Sequence, residues 1–160
     1  MKLIIIGAGE YGKLVKELAS DTYEEILFLD DYSPLAVAKC DQYFNYKEYS
    51  FIVAIGNPEV RSYWINKLSE ECFKIATIIS SRAYIAQSAT IEEGSIIEAM
   101  AVVNSNAVIH RGCIINAGAI INHNAVVGEF SQIDCGAVVA SYVSVEAKTH
   151  IKYNQVAERK

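Results

Sequence analysis

The sequence predicts two domains of different class, a small α/β domain over residues 1–80 and an all-β parallel β-helix of about four coils over residues 81–160. Two observations carry this division. From Ile85 onward an apolar residue recurs at every sixth position: Ile85, Ile91, Ile97, Val103, Ile109, Ile115, Ile121, Val127, Ile133, Val139, Val145 and Ile151. Before Ser80-Ser81-Arg82 there is no such hexad, and short apolar runs alternate with amphipathic stretches instead.

The hexads come first because their period is the more restrictive. Four positions after each of the first eleven apolar residues stands a small or compact one: Ala89, Ser95, Ala101, Ala107, Cys113, Ala119, Ala125, Ser131, Ala137, Val143 and Thr149. A helix repeats near 3.6 residues and a strand at 2, so neither produces this pattern; six residues make one face of a prism. Three faces close a coil, and residues eighteen apart then stack. Asn104 falls under Asn122 and Asn106 under Asn124, which predicts two side-chain amide ladders. Glycine-rich turns fade at Val145-Glu146-Ala147-Lys148, after fewer than four complete coils, and the polar tail from Lys152 is expected to blunt the open edge.

In the first half, Lys2 to Ile6 reads as a buried strand and leads into Gly7-Ala8-Gly9-Glu10-Tyr11-Gly12. A helix follows with Leu14, Val15, Leu18 and Ala19 on one face. Glu25 to Leu29 is a second strand ending at Asp30-Asp31, and a loop rich in Tyr and Asp separates it from a third, Phe51 to Ile55. Gly56-Asn57-Pro58 then opens a helix over Glu59 to Cys72, with Val60, Trp64, Ile65 and Leu68 inward, and Phe73 to Ile79 is a fourth strand. Strands alternating with helices predict a parallel sheet with right-handed crossovers.

Gly7-x-Gly9-x-x-Gly12 lies between strand and helix, and Asp30 ends the next strand. This is the Rossmann-like context in which glycines admit phosphates to a helix N-terminus and a carboxylate accepts from ribose hydroxyls. Four strands leave no second mononucleotide-binding half, so a mononucleotide such as a UDP-sugar fits better than a hydride-carrying dinucleotide.

Composition narrows the partners. Lys and Arg total 14 against 19 Asp and Glu, a net charge of −5, and no basic run interleaves with aromatics, which disfavours nucleic acid. No apolar stretch reaches the ~20 residues of a membrane span. The opening apolar run breaks at Gly7 and reads as a strand, not a signal peptide. The cysteines Cys40, Cys72, Cys113 and Cys135 form no C-x-x-C pair, so reduced thiols and a cytoplasmic setting are expected, with no metal. Cys113 fills a small-residue slot of the repeat. His123, third in its hexad, lies outside both the inward and the small set and so on the outer surface; imidazole is the usual side chain for moving a proton near neutral pH.

Gly7-Ala8-Gly9-Glu10-Tyr11-Gly12-Lys13, Phe28-Leu29-Asp30-Asp31, Ala54-Ile55-Gly56-Asn57, Asn116-Ala117-Gly118-Ala119 and His123 followed by Val127-Gly128-Glu129-Phe130-Ser131 occur in this order over most of the chain. Together they resemble the bacterial sugar N-/O-acyltransferases of the PglD/NeuD type. The resemblance implies a left-handed β-helix, a homotrimer, acetyl-CoA as co-substrate and N-acetylation of a UDP-4-amino sugar for surface glycans. It implies His123 as general base, with Asn116 and Ser141 near the acetyl group, the turn at Gly7, Gly9 and Gly12 on the phosphates, and Asp30, Asp31 and Asn57 on the nucleotide sugar. Asn124 stands where the family places a carboxylate beside the base, Gln132 where it has a second histidine, and Ser141 where it favours a glycine. Relatives of this type run on for further coils, so a C-terminally shortened member is expected. Two alternatives follow: an impaired homologue that binds nucleotide sugar without turnover, or a sialic-acid-type O-acetyltransferase. His110 and His150 are expected to be structural or solvated.

Overall fold

Four parallel strands, β1 (Lys2–Ile6), β2 (Glu25–Leu29), β3 (Ser50–Val53) and β4 (Lys74–Ile75), form the first sheet in the order β2-β1-β3-β4. In this computed structural model, which describes residues 1–159, the chain divides into two compact units at Ile78 and Ile79. β1 is central, and Leu3, Ile4, Ile5 and Ile6 are all fully buried. A strand covered on both faces needs such an unbroken apolar run.

Helix α1 (Glu10–Ala19) buries Gly12, Val15 and Ala19, while Leu14, expected on that face, is 38% exposed. Helix α2 (Pro58–Glu70) buries Arg61, Ser62, Ile65 and Leu68, and Val60 turns outward. The Tyr- and Asp-rich loop contains a 3-10 helix, Cys40–Tyr46. Its Tyr43 packs edge-on against Trp64 and Phe73, with ring centroids 5.8 and 5.5 Å apart. The expected fourth strand is divided: Lys74–Ile75 joins the first sheet, whereas Ile78–Ile79 becomes the first rung of the β-helix.

The β-helix has three faces built from two-residue strands. The first carries Ile78–Ile79, Ile96–Ile97, Ile114–Ile115, Gln132–Ile133 and His150–Ile151. The second carries Tyr84–Ile85, Val102–Val103, Ile120–Ile121, Val138–Val139 and Val156–Ala157, and the third Thr90–Ile91, Val108–Ile109, Val126–Val127 and Ser144–Val145. Partners are eighteen residues apart, as in Ile114 opposite Gln132 and Ile121 opposite Val139. The inward residues from Ile97 to Val139 are fully buried, as are the small residues from Ala101 to Ala137 that follow the corners.

From Gly94 onward each corner is turned by one residue in the left-handed conformation, three positions after the inward one. Gly94, Met100, Asn106, Gly112, Gly118, Asn124, Phe130, Gly136, Tyr142, Lys148 and Asn154 have φ between 56° and 74°. The corner therefore requires a conformation and not a glycine. This corrects the expected end of the coil near Val145. Lys148 and Asn154 hold their corners at φ 58° and 57°, and the rungs His150–Ile151 and Val156–Ala157 follow. Faces of five, five and four strands make between four and five coils, so the tail from Lys152 contains a paired rung.

Side chains staple the coils. Glu98 accepts from the Asn116 amide at 2.5 Å and from the Ala117 N–H at 2.9 Å. Glu92 repeats the arrangement with His110 Nδ1 and the Arg111 N–H, both at 3.0 Å. Asn104 donates to Asn122 at 3.1 Å, one of the two expected ladders. The other does not form among the described residues: Asn106 and Asn124 are corner residues, and the Asn124 amide turns to His123.

Gly128 and Gly118 should respond differently to substitution. A Cβ at Gly128 would lie 2.5 Å from the Ala147 nitrogen, backbone of the next coil, whereas a Cβ at Gly118 (φ 69°) meets nothing closer than 4.0 Å. Gly128→Ala is expected to lower the melting temperature by about 5 °C or more, and Gly118→Asn by about 2 °C or less, in circular-dichroism melts.

Candidate active site

In the first unit the glycine turn is packed as the pattern requires at two of its three glycines. Gly7 has φ 102°, and a Cβ on it would come 2.9 Å from the Ala54 carbonyl; one on Gly12 would come 2.0 Å from the Gly7 carbonyl. Gly9 differs. It caps α1 in an extended conformation, and a Cβ there would meet nothing within 4 Å. The protein's own packing does not demand a glycine at this position, and the space over the helix N-terminus is open.

Asp30, Asp31 and Asn57 lie at the strand ends, but each has oxygens engaged with its own chain. Asp30 Oδ2 accepts from the Ala8 N–H at 2.8 Å, and its Oδ1 accepts from the Tyr32 and Ser33 N–H groups at 2.9 Å. Burial pushes the Asp30 carboxyl up, but these three donors outweigh it and hold the group below its ordinary value of 3.8. Asp31 accepts from the Cys40 N–H at 3.0 Å and so opens the 3-10 helix. Asn57 caps α2, its side chain accepting from the Glu59 and Val60 N–H groups at 2.9 and 3.1 Å.

Beside Asp31 lies a cleft of about 420 Å³, lined by Tyr32, Lys39 and Cys40 on one side and by Tyr63, Trp64 and Lys67 of α2 on the other. Exposed aromatic rings and two lysines suit a flat, polar-edged group. The Cys40 thiol is pushed up to about 12, first by burial and then by the charge of Asp31. It stays protonated and is not a nucleophile.

In the β-helix His123 is exposed, at the position after Asn122 on the second face. The Asn124 amide sits 3.0 Å from His123 Nδ1, and the Tyr142 ring stands edge-on to the imidazole with centroids 5.4 Å apart. Ser141 stacks one coil on from His123, and its N–H has no acceptor among the described residues. Asn116 is not brought to this cluster within the chain. It follows the first face, where its amide donates to Glu98 and accepts from Gln132 Nε2 at 3.1 Å.

Arg61 and Asp134 escaped the sequence reading. Arg61 is fully buried, and its guanidinium donates to the Ile55 and Gly56 carbonyls at 2.8 Å, fixing the loop before α2. Only its place four residues after Asn57 hinted at this. His150, expected to be structural or solvated, is half exposed yet holds Asp134, whose side chain is 4% exposed, at 2.8 Å. Asp134 also accepts from Gln132 at 2.9 Å. Among the described residues no group of three or more His, Cys, Asp or Glu could hold a metal ion, and no helix is long and apolar enough to cross a membrane.

The Asp30 latch has a definite pH signature. Because its folded pKa is lowered, its contribution is fully present above the unfolded value near 3.8 and is lost as pH falls through the folded value. Asp30→Asn would set an amide donor against the Ala8 or the Tyr32 and Ser33 donors. It should destabilise the first unit by about 1–3 kcal/mol at pH 7. Urea titrations of the two proteins should show this gap constant from pH 5 to 8 and closing below about pH 4.

A profile of the PglD N-terminal domain family matches residues 2–68. Among solved structures, the acetyltransferase domain of PglB from Neisseria gonorrhoeae is similar over 98% of this chain and 91% of its own, with 28% identity and a TM-score of 0.77. The same domain in complex with acetyl coenzyme A matches over 97% and 94%, with 28% identity and a TM-score of 0.74. A variant of perosamine N-acetyltransferase from Caulobacter crescentus, in complex with CoA and GDP-perosamine, matches over 99% and 89%, with 21% identity and a TM-score of 0.83. Residues 2–68 thus match the PglD N-terminal domain family, and the whole chain shares the two-part fold, α/β followed by left-handed β-helix, of the PglB acetyltransferase domain.

Proposed function

We propose that this chain transfers the acetyl group of acetyl-CoA to the amine of a nucleotide-activated amino sugar, a UDP-4-amino sugar, with His123 as general base. The observation that carries the reading is the grouping on the β-helix: an exposed imidazole held at Nδ1 by Asn124, one coil from a Ser141 N–H that has no acceptor among the described residues. The 28% identity to a gonococcal acetyltransferase domain over nearly the full chain supports it.

In this reading the sugar amine loses its proton to His123 Nε2 as the nitrogen attacks the thioester carbonyl. The Ser141 N–H donates to the carbonyl oxygen as that oxygen gains charge. His123 then returns the proton to the departing thiolate. Asn124 bears on the first step. With its Nδ2 donating to Nδ1, the imidazole proton sits on Nε2 and no base is available there. With the amide turned over, Oδ1 accepts from Nδ1–H and Nε2 is free. An amide serves either tautomer, whereas a carboxylate would favour the second and balance the imidazolium.

The nucleotide is assigned to the first unit, its diphosphate over Gly9 and the N-terminus of α1, on the open space that Gly9 leaves. A homotrimer is supported by the outward column of the second face, Tyr84, Val102, Ile120, Val138 and Val156, which is apolar at every rung. A cytoplasmic setting follows from the substrates proposed.

The test is release of CoA thiol from acetyl-CoA with UDP-4-amino sugars, alongside UDP binding by calorimetry. Activity is expected from the wild-type chain, with His123→Ala losing about 10²–10⁴-fold. Activity within a few-fold of wild type in His123→Ala would remove it as the base. Gly9→Ala should fold with unchanged stability and bind UDP at least about tenfold more weakly, the loss of a close backbone approach. UDP binding without thiol release would favour an impaired nucleotide-sugar binder. Asn124→Asp is expected to raise kcat by about tenfold or more, by selecting the productive tautomer; an unchanged kcat would mean that the amide already does so.

A further inference from the structure

Tyr142 occupies the corner column of Asn106 and Asn124, eighteen residues on from Asn124, and has the same left-handed conformation, with φ 62°. Asparagine adopts this conformation readily, while a bulky side chain does so under strain. Met100, Phe130 and Lys148 also place long side chains at such corners, so the strain alone decides nothing. What distinguishes Tyr142 is its surroundings. Its ring meets the His123 imidazole at an interplanar angle of 87°, with centroids 5.4 Å apart, and its N–H donates to the His123 carbonyl at 3.3 Å. The Arg159 guanidinium lies 5.3 Å from the same ring, and its Nη2 donates to the Tyr142 carbonyl at 3.3 Å.

One hydrogen bond to Nδ1 fixes the direction of an imidazole but leaves its plane free to turn about that bond. An edge-on ring fixes the plane. With an amide at 124 in place of a charged partner, the bond to Nδ1 is the weaker kind, and the ring contact carries more of the orientation. Tyr142 is held in turn by Arg159 and by the corner itself. We propose that Tyr142 is a positioning residue, whose ring sets the imidazole plane so that His123 Nε2 faces the acceptor. This rests on His123 as the base.

The test uses the full chain with Tyr142→Phe and Tyr142→Asn, read by melting temperature, by kcat and KM for thiol release from acetyl-CoA with a UDP-4-amino sugar, and by the imidazole NMR resonances of His123. Phenylalanine keeps the ring and should leave all three unchanged within about twofold. Asparagine suits the corner, so the melting temperature should hold or rise. Its kcat should fall by about tenfold or more with KM within about twofold, as expected when a catalytic group is misplaced with the substrate still bound. The His123 ring protons should also lose the shift imposed by the neighbouring ring. A kcat within twofold of wild type in Tyr142→Asn, or His123 resonances that do not move, would overturn the proposal. His123→Ala, run alongside, separates the two readings. Loss there but not in Tyr142→Asn removes Tyr142 and leaves the base. Full activity in His123→Ala removes the base, and with it the catalytic role proposed for Tyr142. Should the wild-type chain turn over none of the sugars offered, the resonances alone decide whether Tyr142 orients the ring.

Discussion

From Gly94 onward the second unit depends on one left-handed residue at every sixth position. Two-residue strands have too few hydrogen bonds to stand alone, so they persist only where each coil lies directly on the next. That alignment is set at the corners. Residues such as Asn106, Gly118 and Tyr142 turn the chain with φ near 60°, and the small residue that follows tucks into the prism. Coil then meets coil through backbone bonds such as Ile120 N–H to Ala137 and Val126 N–H to Val143, both 2.9 Å. The corner residue stands outside the inward and the small set, and its conformation does not dictate its side chain. Glycine, asparagine, lysine and tyrosine all occupy it, and function can be attached there without disturbing the apolar column.

In the first unit the comparable constraint is the set of polar atoms that the protein spends on itself. Asp30 joins the glycine turn to the loop after β2, Asp31 opens the 3-10 helix, Asn57 caps α2 and Arg61 pins the loop before it. These side chains shape the strand ends. What they leave for a ligand is backbone N–H groups at α1, the space over Gly9, and the cleft between the Tyr32 and Tyr63 sides. A nucleotide held in that way would be read mostly by shape and by main chain.

Much of the fold was legible because its strongest signal is periodic. The hexads from Ile85 to Ile151 placed the inward residues, the small residues and the register without error. The end of the coil was misread because glycine stood in for the conformation it favours, and Lys148 and Asn154 adopt that conformation without being glycine. The fourth strand was read as one because Phe73 to Ile79 is apolar throughout, and composition does not say where a run changes sheets. The candidate site was less legible. His123 could be placed outside from its hexad position, but a sequence does not tell a carboxylate that faces a ligand from one that faces its own backbone, as Asp30 shows. The pair Asp134 and His150 is sixteen residues apart, off the eighteen-residue register, and joins one outward position to a different one on the next coil.

The three histidines show how stability and chemistry can be kept apart on this scaffold. His110 and His150 each reach a carboxylate on an adjacent coil, Glu92 and Asp134, so both rings help to hold the stack. His123 is held differently. Its Nδ1 partner is Asn124, the next residue in the same coil, and it meets the next coil through the Tyr142 ring and the bond from the Tyr142 N–H to its carbonyl. Among the described residues no carboxylate ties its imidazole to the stack, and the coils are joined through Glu92, Glu98 and the backbone instead. In the function proposed for it, His123 takes up and returns a proton without any contact between carboxylate and imidazole having to break.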